Sequence, residues 1–163
     1  MREIQTIITP VDFSDNADMI AESAGYVAGK FGAELHLVFV VQTFEDYSGF
    51  FVPPVNLPNL EEELFKSAQE RMDEFVDGKK EDMMKAGAAA VHSSVVSGDV
   101  GEEILAYAQG VSCDLIVMGT HGYKGLERIM FGSVADKVVK NACCPVMTIN
   151  PYRHACEAEE KEK

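Results

Sequence analysis

Four small residues have the types and the spacing that a phosphate-binding loop requires. They follow the pattern G-x2-G-x9-G-S directly after the apolar run 115–118: Gly119, Gly122, Gly132 and Ser133. Such an apolar run is typical of a strand buried on both faces. Glycine lets the backbone turn sharply and approach a ligand closely, because no Cβ intervenes. The next helix should begin near Ser133, where free N–H groups and the helix dipole favour an anion, with phosphate the best match.

The same residues have a simpler interpretation as turn formers. Glycine is common where a strand turns into a helix, and Ser133 with Asp136 has the pattern of an ordinary capping box. The complete four-point spacing at a strand end, followed by a helix start, favours the phosphate interpretation. The sequence contains neither G-x-x-x-x-G-K-[ST] nor a G-x-G-x-x-G after its first strand, so the two commoner phosphate motifs do not apply.

The G-x2-G-x9-G-S spacing resembles the nucleotide-binding signature of the universal stress protein family, in its ATP-binding branch. Two more segments agree with that family in order and position, ITPVDFSDNA near the amino terminus and CPVMTIN near the carboxyl terminus. The resemblance covers about residues 2–150. It implies a protein that binds ATP, or AMP or ADP, together with Mg²⁺ or Mn²⁺. The metal would be held by the phosphates, with no ligand from a side chain.

The resemblance also implies roles for individual residues. At the end of strand one, it implies that the backbone of Pro10 and Val11 and the carboxylate of Asp12 lie beside the adenine and ribose. At the end of strand two, it implies that Val41 contacts the adenine. On the ribose and α-phosphate side it implies Met118 and Gly119. The triphosphate would lie in a cradle of Gly122, Gly132, Ser133 and Val134, with the Ser133 hydroxyl donating to a phosphate oxygen. His121 occupies a variable position of the motif, where it would contact phosphate or face solvent.

Composition narrows the class of protein. The chain has 163 residues, 47% apolar and 25% charged, which is the profile of a globular protein with a sizeable core. A net charge of −13 gives nucleic acid and anionic membranes no electrostatic reason to bind. The sequence has no transmembrane-length apolar run, no signal-peptide pattern and no zinc-like or C-x-x-C cysteine spacing. We therefore expect a cytoplasmic protein with reduced thiols, made of one domain, residues 1–150, and a disordered acidic tail, residues 151–163.

Apolar runs alternate with amphipathic segments, which predicts a five-stranded parallel α/β sheet with helices on both faces. The expected strands are 3–12, 34–41, 90–97, 114–119 and 145–149. The family resemblance implies a Rossmann-like strand order of 3-2-1-4-5. Ligands of such sheets bind at the carboxyl ends of strands where the order reverses, here between strands one and four. Asp12 and Gly119 lie at those two ends, so the general rule and the motif select the same place.

Several local features are also expected. Ser14 should cap the first helix, Gly32 should end it, and Asn59 should begin a long helix to about residue 86, with a kink at Gly78. Met72, Met83 and Met84 should fill the core, and Val134, Val138 and Val139 should face inward. The aromatic-rich loop 42–58 would either be a lid over the nucleotide or cover the sheet or a dimer neighbour. His36 should be packed or exposed at an edge, since no metal partner is adjacent in sequence.

Three functions are consistent with these observations. The resemblance implies a homodimeric, nucleotide-dependent regulatory or stress-response protein, with slow ATP hydrolysis at most because the sequence presents no obvious general base. A protein-interaction module with a vestigial pocket is an alternative, against which the retained Gly/Ser spacing argues. An adenine-nucleotide α-hydrolase-type enzyme ranks lower, because the sequence lacks an S-G-G-x-D-S-type loop after strand one. The dimer would pair through the apolar edge strand 145–149, unless the acidic tail covers that edge.

Overall fold

The computed structural model describes residues 3–42, 57–120 and 132–151, with side chains from residue 60 onward in the second range. Two residues of the predicted site, His121 and Gly122, lie outside these ranges. Most of the loop 42–58 and the tail beyond residue 151 lie outside them as well. The expectations for the lid, for the tail and for these two site residues therefore stay predictions.

Strands and helices alternate through the described part of the chain, in the predicted order. The strands are β1 (Thr6–Pro10), β2 (Glu34–Val41), β3 (Ala90–Ser97), β4 (Leu115–Gly119) and β5 (Val146–Ile149). The helices are α1 (Ala17–Phe31), α2 (Leu57–Asp77), α3 (Lys80–Lys85), α4 (Val100–Gly110) and α5 (Ser133–Asn141). β2 and β3 have the predicted bounds, whereas β1, β4 and β5 are shorter than predicted.

The five strands form one parallel sheet in the order β3-β2-β1-β4-β5, which confirms the predicted fold class and strand order. β2 is paired along its whole length with β3, and five of its residues pair with β1. The ladder between β1 and β4 is much shorter and joins only Ile7 to Leu115 and Ile8 to Ile116. Towards their carboxyl ends, β1 and β4 are therefore not joined by ladder pairs, and this is the place where the strand order reverses.

Helices cover both faces of the sheet, as the apolar strands require. One face packs against α1, α2 and α3, through a core that includes Ile7, Leu35, Leu37, Met72 and Met83. The other face packs against α4 and α5, through a core that includes Ile8, Val38, Ile104, Ile116 and Val138. Because β1, β2 and β4 contribute alternate residues to the two cores, their backbones are held firmly from both sides.

The segment predicted as one long second helix is two helices. The break between α2 and α3 falls at Gly78 and Lys79, where the sequence predicted only a kink. Asn59 lies inside α2, because this helix already begins at Leu57, and the expected cap at Asn59 is therefore wrong. Met84 and Val139 are exposed where burial was expected, because each directly follows the residue that its helix buries, Met83 or Val138, and an α-helix turns about 100° per residue.

α1 passes very close to the turn that follows α3. A Cβ on Gly29 would collide with the backbone carbonyl of Ala86. Gly87, the next residue of that turn, has a φ of +108°, a conformation that favours glycine. The helix and the turn can approach this closely only because both positions lack a side chain. The contact fixes α1, and with it the chain that leads into α1 from β1.

Candidate nucleotide site at the carboxyl ends of β1 and β4

The sheet brings most of the described candidate residues to one edge. Pro10 ends β1, Val41 ends β2 and Gly119 ends β4, and these three strands are neighbours. Backbone bonds just beyond the strand ends join β1 and β3 to β2: the Val11 N–H donates to Val38 O (2.9 Å), and the Gly98 N–H donates to Val41 O (3.0 Å). The end of β3 therefore borders the same edge.

Asp12 follows β1 and shapes the loop that leads to α1. Its Oδ1 accepts hydrogen bonds from the Ser14 backbone N–H (3.0 Å) and from the Ser14 hydroxyl (2.7 Å). This is an Asx-type turn, in which the side chain replaces a backbone carbonyl. The predicted N-cap at Ser14 is wrong, because α1 begins at Ala17 with Asn16 in the N-cap position. The two bonds fix the direction of the Asp12 carboxylate.

Phe13, next to Asp12, is held in a strained conformation. Its φ of 54° lies in the left-handed region, where a bulky side chain is rare. Its ring packs against Phe39, with centroids 4.5 Å apart, and against Phe75, at 5.8 Å. The Arg71 guanidinium lies over the same ring, 4.6 Å from its centroid. These contacts hold the strained residue in place, and so determine where Asp12 lies relative to β1.

The start of α5 lies against the end of β4. The Gly132 N–H donates to Thr120 O (2.9 Å), and the Thr120 N–H donates to Ile149 O (2.9 Å). The first hydrogen bond within the helix runs from the Asp136 N–H to Gly132 O (2.9 Å). The backbone N–H groups of Ser133, Val134 and Ala135 therefore come before the first acceptor that the helix itself provides. Such a helix start is suited to an anion.

Ser133 does not act as a helix cap here. The N-cap of α5 is Gly132, and the structure describes no side-chain capping bond at this helix start. The capping-box interpretation of Ser133 and Asp136 is therefore wrong. Gly132 has φ −59° and ψ 149°, which any residue can adopt, so the backbone conformation does not require glycine there.

The nearest cation within α5 is engaged by acidic partners. Lys137 Nζ lies 2.8 Å from Asp99 Oδ1 and 3.0 Å from Glu102 Oε1, at the start of α4. The hydrogen bond from Lys137, followed by the bond from the Glu102 N–H, lowers the pKa of Asp99. The same bond to Asp99 raises the pKa of Lys137. A phosphate at α5 would therefore rely on backbone dipoles and a bound cation more than on this lysine.

Sequence reasoning missed two residues at this edge. Thr120 is buried, and its backbone joins β4, β5 and α5, although in the sequence it is only an x position of the glycine motif. The strain at Phe13 had no sequence signal, since aromatic residues rarely adopt a positive φ. Among the described residues, no helix combines the length and the apolar character that crossing a membrane would require.

Comparison with known proteins agrees with the family suggested by the motif. A model of the universal stress protein family matches residues 3–150. The chain is 38% identical over 144 residues to universal stress protein MJ0531 of Methanocaldococcus jannaschii, covering 88% of this chain and 80% of that protein. It is 33% identical over 147 residues to a Thermus aquaticus universal stress protein from the QAH/OAS sulfhydrylase 3′ region, covering 89% and 98% of the two chains.

Solved structures share the fold. Universal stress protein UspA from Lactobacillus plantarum aligns with a TM-score of 0.76 and 25% identity, covering 91% of this chain and 99% of that one. A universal stress protein from Archaeoglobus fulgidus in complex with dAMP aligns with a TM-score of 0.60 and 23% identity, covering 91% and 99%. A universal stress protein in complex with cAMP aligns with a TM-score of 0.65 and 19% identity, covering 91% and 98%.

Proposed function

Because the chain belongs to the universal stress protein family, we propose that it binds ATP with Mg²⁺ or Mn²⁺ and acts as a nucleotide-dependent regulatory protein in a stress response. AMP and ADP are the other adenine nucleotides that the same pocket would accept. The nucleotide lies across the carboxyl ends of β1 and β4. The protein works as a cytoplasmic homodimer.

One observation carries this proposal, the hydrogen bond that fixes the start of α5 against the end of β4. The Gly132 N–H donates to Thr120 O at 2.9 Å, at the point where the strand order reverses. The N–H groups of Ser133 and Val134 follow directly, and they would donate to phosphate oxygens together with the Ser133 hydroxyl. Glycine at position 132 is not needed for backbone geometry, so it is better explained by close approach of a ligand.

The adenine and ribose would lie on the β1 side of the crevice. Pro10, Val11 and Val41 supply backbone and apolar contacts, while Asp12 offers a carboxylate of fixed direction to the ribose hydroxyls. Met118 and Gly119, at the end of β4, line the path towards the phosphates. Two proteins of this fold are found with the adenine nucleotides dAMP and cAMP, which supports adenine as the base.

The charge of the protein makes a bound cation important. With a net charge of −13, the overall field opposes a triphosphate. The described cation one turn inside α5, Lys137, is already paired with Asp99 and Glu102. Mg²⁺ or Mn²⁺ on the phosphates would offset the repulsion, and the helix dipole of α5 would add a local attraction.

The homodimer is proposed to pair through β5. This strand is at the edge of the sheet and has only β4 as a neighbour among the described strands. Met147, on β5, is 43% exposed. An apolar strand with one unpaired edge is a surface that a second copy of the chain could extend or cover.

The first experiment identifies what the protein carries and what it binds. The full chain is purified without added nucleotide, denatured, and its released small molecules are identified by chromatography and mass. Stoichiometric ATP, ADP or AMP would support the site, as would calorimetric binding of added ATP with Mg²⁺ to an empty protein. A protein that neither carries nor binds a nucleotide would favour the interaction module with a vestigial pocket.

A pair of glycine variants places the site. Gly132→Val puts a side chain where a phosphate should lie, in a backbone conformation that valine accepts, so the variant should fold and lose ATP affinity. Gly110→Ala is the control, since a Cβ there meets open space. Unchanged ATP affinity in Gly132→Val would show that the site lies elsewhere. Turnover of about 1 per second or faster would contradict a regulatory role and favour an enzyme.

A further inference from the structure

A second cluster of functional side chains lies at the amino ends of the strands, away from the proposed nucleotide site. The β2–β3 register places His36 directly beside His92. Their rings are 4.6 Å apart, with 34° between their planes. Glu34 precedes His36 by two residues and so projects from the same face of β2. His36 is packed, as predicted, and a second imidazole that is not adjacent in sequence stands beside it on the neighbouring strand.

The three side chains direct ligand atoms at one point. Glu34 Oε2 lies 3.5 Å from His92 Nε2 and 3.9 Å from His36 Nε2. One ligand atom from each residue lies within 4.8 Å of the others. Donors at about 2.0–2.2 Å from a tetrahedral Zn²⁺ stand about 3.3–3.6 Å apart. Small rotations of the exposed Glu34 and His92 side chains, 52% and 47% exposed, would bring the set to that spacing.

His36 is already oriented as metal-ligating histidines are. Its side chain is only 13% exposed, and its Nδ1 lies 3.1 Å from the Tyr107 hydroxyl. That hydroxyl lies 2.8 Å from Ser94 Oγ, which completes a short polar chain from α4 back to β3. A hydrogen bond at Nδ1 fixes the ring and leaves Nε2 to face Glu34. Such partners of the second ring nitrogen are a regular feature of histidine metal sites.

We propose that Glu34, His36 and His92 form a binding site for a divalent transition-metal ion, with Zn²⁺ the best match to two imidazoles and one carboxylate. The fourth position of the tetrahedron faces solvent, on the side of the half-exposed His92. The ion would join the edge strand β3 to β2. Val41 lies five residues beyond His36, about 16 Å along the strand, so this site is independent of the nucleotide site.

Direct metal binding tests the proposal. Zn²⁺ alone is added to the full chain in the Cys143→Ser, Cys144→Ser, Cys156→Ser background, which removes three of the four thiols and leaves the partly buried Cys113. The bound zinc is measured by equilibrium dialysis. Co²⁺ absorption reports the tetrahedral geometry. We expect one tight metal per chain and a loss of affinity of tenfold or more in both His92→Asn and Glu34→Gln. Tyr107→Phe, which removes the partner of His36, should weaken binding about 10–100-fold.

The control is Glu22→Gln, which removes an exposed carboxylate on α1 and should leave zinc affinity unchanged. Circular dichroism verifies that each variant is folded. A readout without variants is the imidazole NMR spectrum of the parent chain, in which zinc should shift the signals of two histidines. Absence of zinc binding, or equal affinity in His92→Asn, Glu34→Gln and Glu22→Gln, would overturn the proposal and leave Glu34 as an ordinary ion-pair partner.

Discussion

Replacement of Phe13 by alanine and by glycine tests how the loop after β1 is held. In most folded positions, glycine is less stabilising than alanine by about 0.5–1 kcal/mol, because it loses more backbone freedom. Phe13 has a φ of 54°, where a Cβ costs about 1–2 kcal/mol. Phe13→Ala keeps that strain, and Phe13→Gly releases it. We therefore expect the usual order to be inverted at this position.

The magnitude follows from the contacts of the ring. Both variants lose two aromatic pairs, with Phe39 and Phe75, each contributing about 0.5–1.5 kcal/mol. Both also lose the Arg71 contact, about 0.5–1 kcal/mol. These ring contacts alone account for a destabilisation of roughly 1.5–4 kcal/mol in each variant, and the apolar area that the ring buries adds equally to the loss in both. Subtracting the cost of backbone freedom in glycine, about 0.5–1 kcal/mol, from the strain of about 1–2 kcal/mol leaves Phe13→Gly more stable than Phe13→Ala by about 0–1.5 kcal/mol, with a central value of about 0.75 kcal/mol.

Urea unfolding followed by circular dichroism measures both free energies of unfolding. Tyr26 is the matched control, because it is an aromatic residue of α1 that is 62% exposed and helical. There, Tyr26→Gly should be less stable than Tyr26→Ala by about 1 kcal/mol. If Phe13→Ala proved at least as stable as Phe13→Gly while the Tyr26 pair kept its normal order, the strain at Phe13 would be refuted.

Three further expectations concern other parts of the molecule. Gly29→Ala should lower the free energy of unfolding by about 1–3 kcal/mol or more, because its Cβ overpacks against the facing carbonyl, and the melting temperature should fall accordingly. Gly110→Ala should leave the melting temperature equal or slightly raised. Iodoacetamide at pH 8, read by peptide mass spectrometry, should label the exposed Cys143 and spare Cys113, because burial raises the pKa of the Cys113 thiol to about 12. Burial, followed by repulsion from His92, lowers the pKa of His36. The unfolded chain therefore binds this proton more readily, so in metal-free buffer the free energy of unfolding should fall as pH drops below about 6.5. That part of the pH dependence should be absent in His36→Gln.

The sequence predicted the sheet well and its side-chain details less well. β2 and β3 were bounded correctly, because each is a compact run between clear turn signals, and the strand order followed from the family resemblance. The start of α1 illustrates the limit. Ser14 is a residue type that favours the N-cap position, but its hydroxyl donates to the Asp12 carboxylate instead, and α1 begins only at Ala17. Propensity does not decide between two such local bonds.

The pairing of His36 with His92 could have been found from sequence. Once the order 3-2-1-4-5 is assumed, β2 and β3 are neighbours, and aligning the two predicted strands from their first residues places the histidines side by side. The strain at Phe13 could not have been found, since it depends on contacts with Phe39 of β2 and with Phe75 and Arg71 of α2, which are distant from Phe13 in the sequence. Non-local packing of this kind has no signature in the local pattern.

The short ladder between β1 and β4 has a consequence for how the protein opens. Two residue pairs join these strands, and at their amino ends the Asp114 carboxylate adds bonds from the backbone N–H groups of Gln5 and Thr6. The ladders of β1 with β2 and of β4 with β5 contain more residue pairs. Local opening should therefore begin between β1 and β4, at the carboxyl ends of the two strands. A ligand that contacts both strand ends would hold β1 and β4 together, and amide hydrogen exchange would slow on both strands. Ligand binding would then be detected as slower local opening of β1 and β4 rather than as a change of shape.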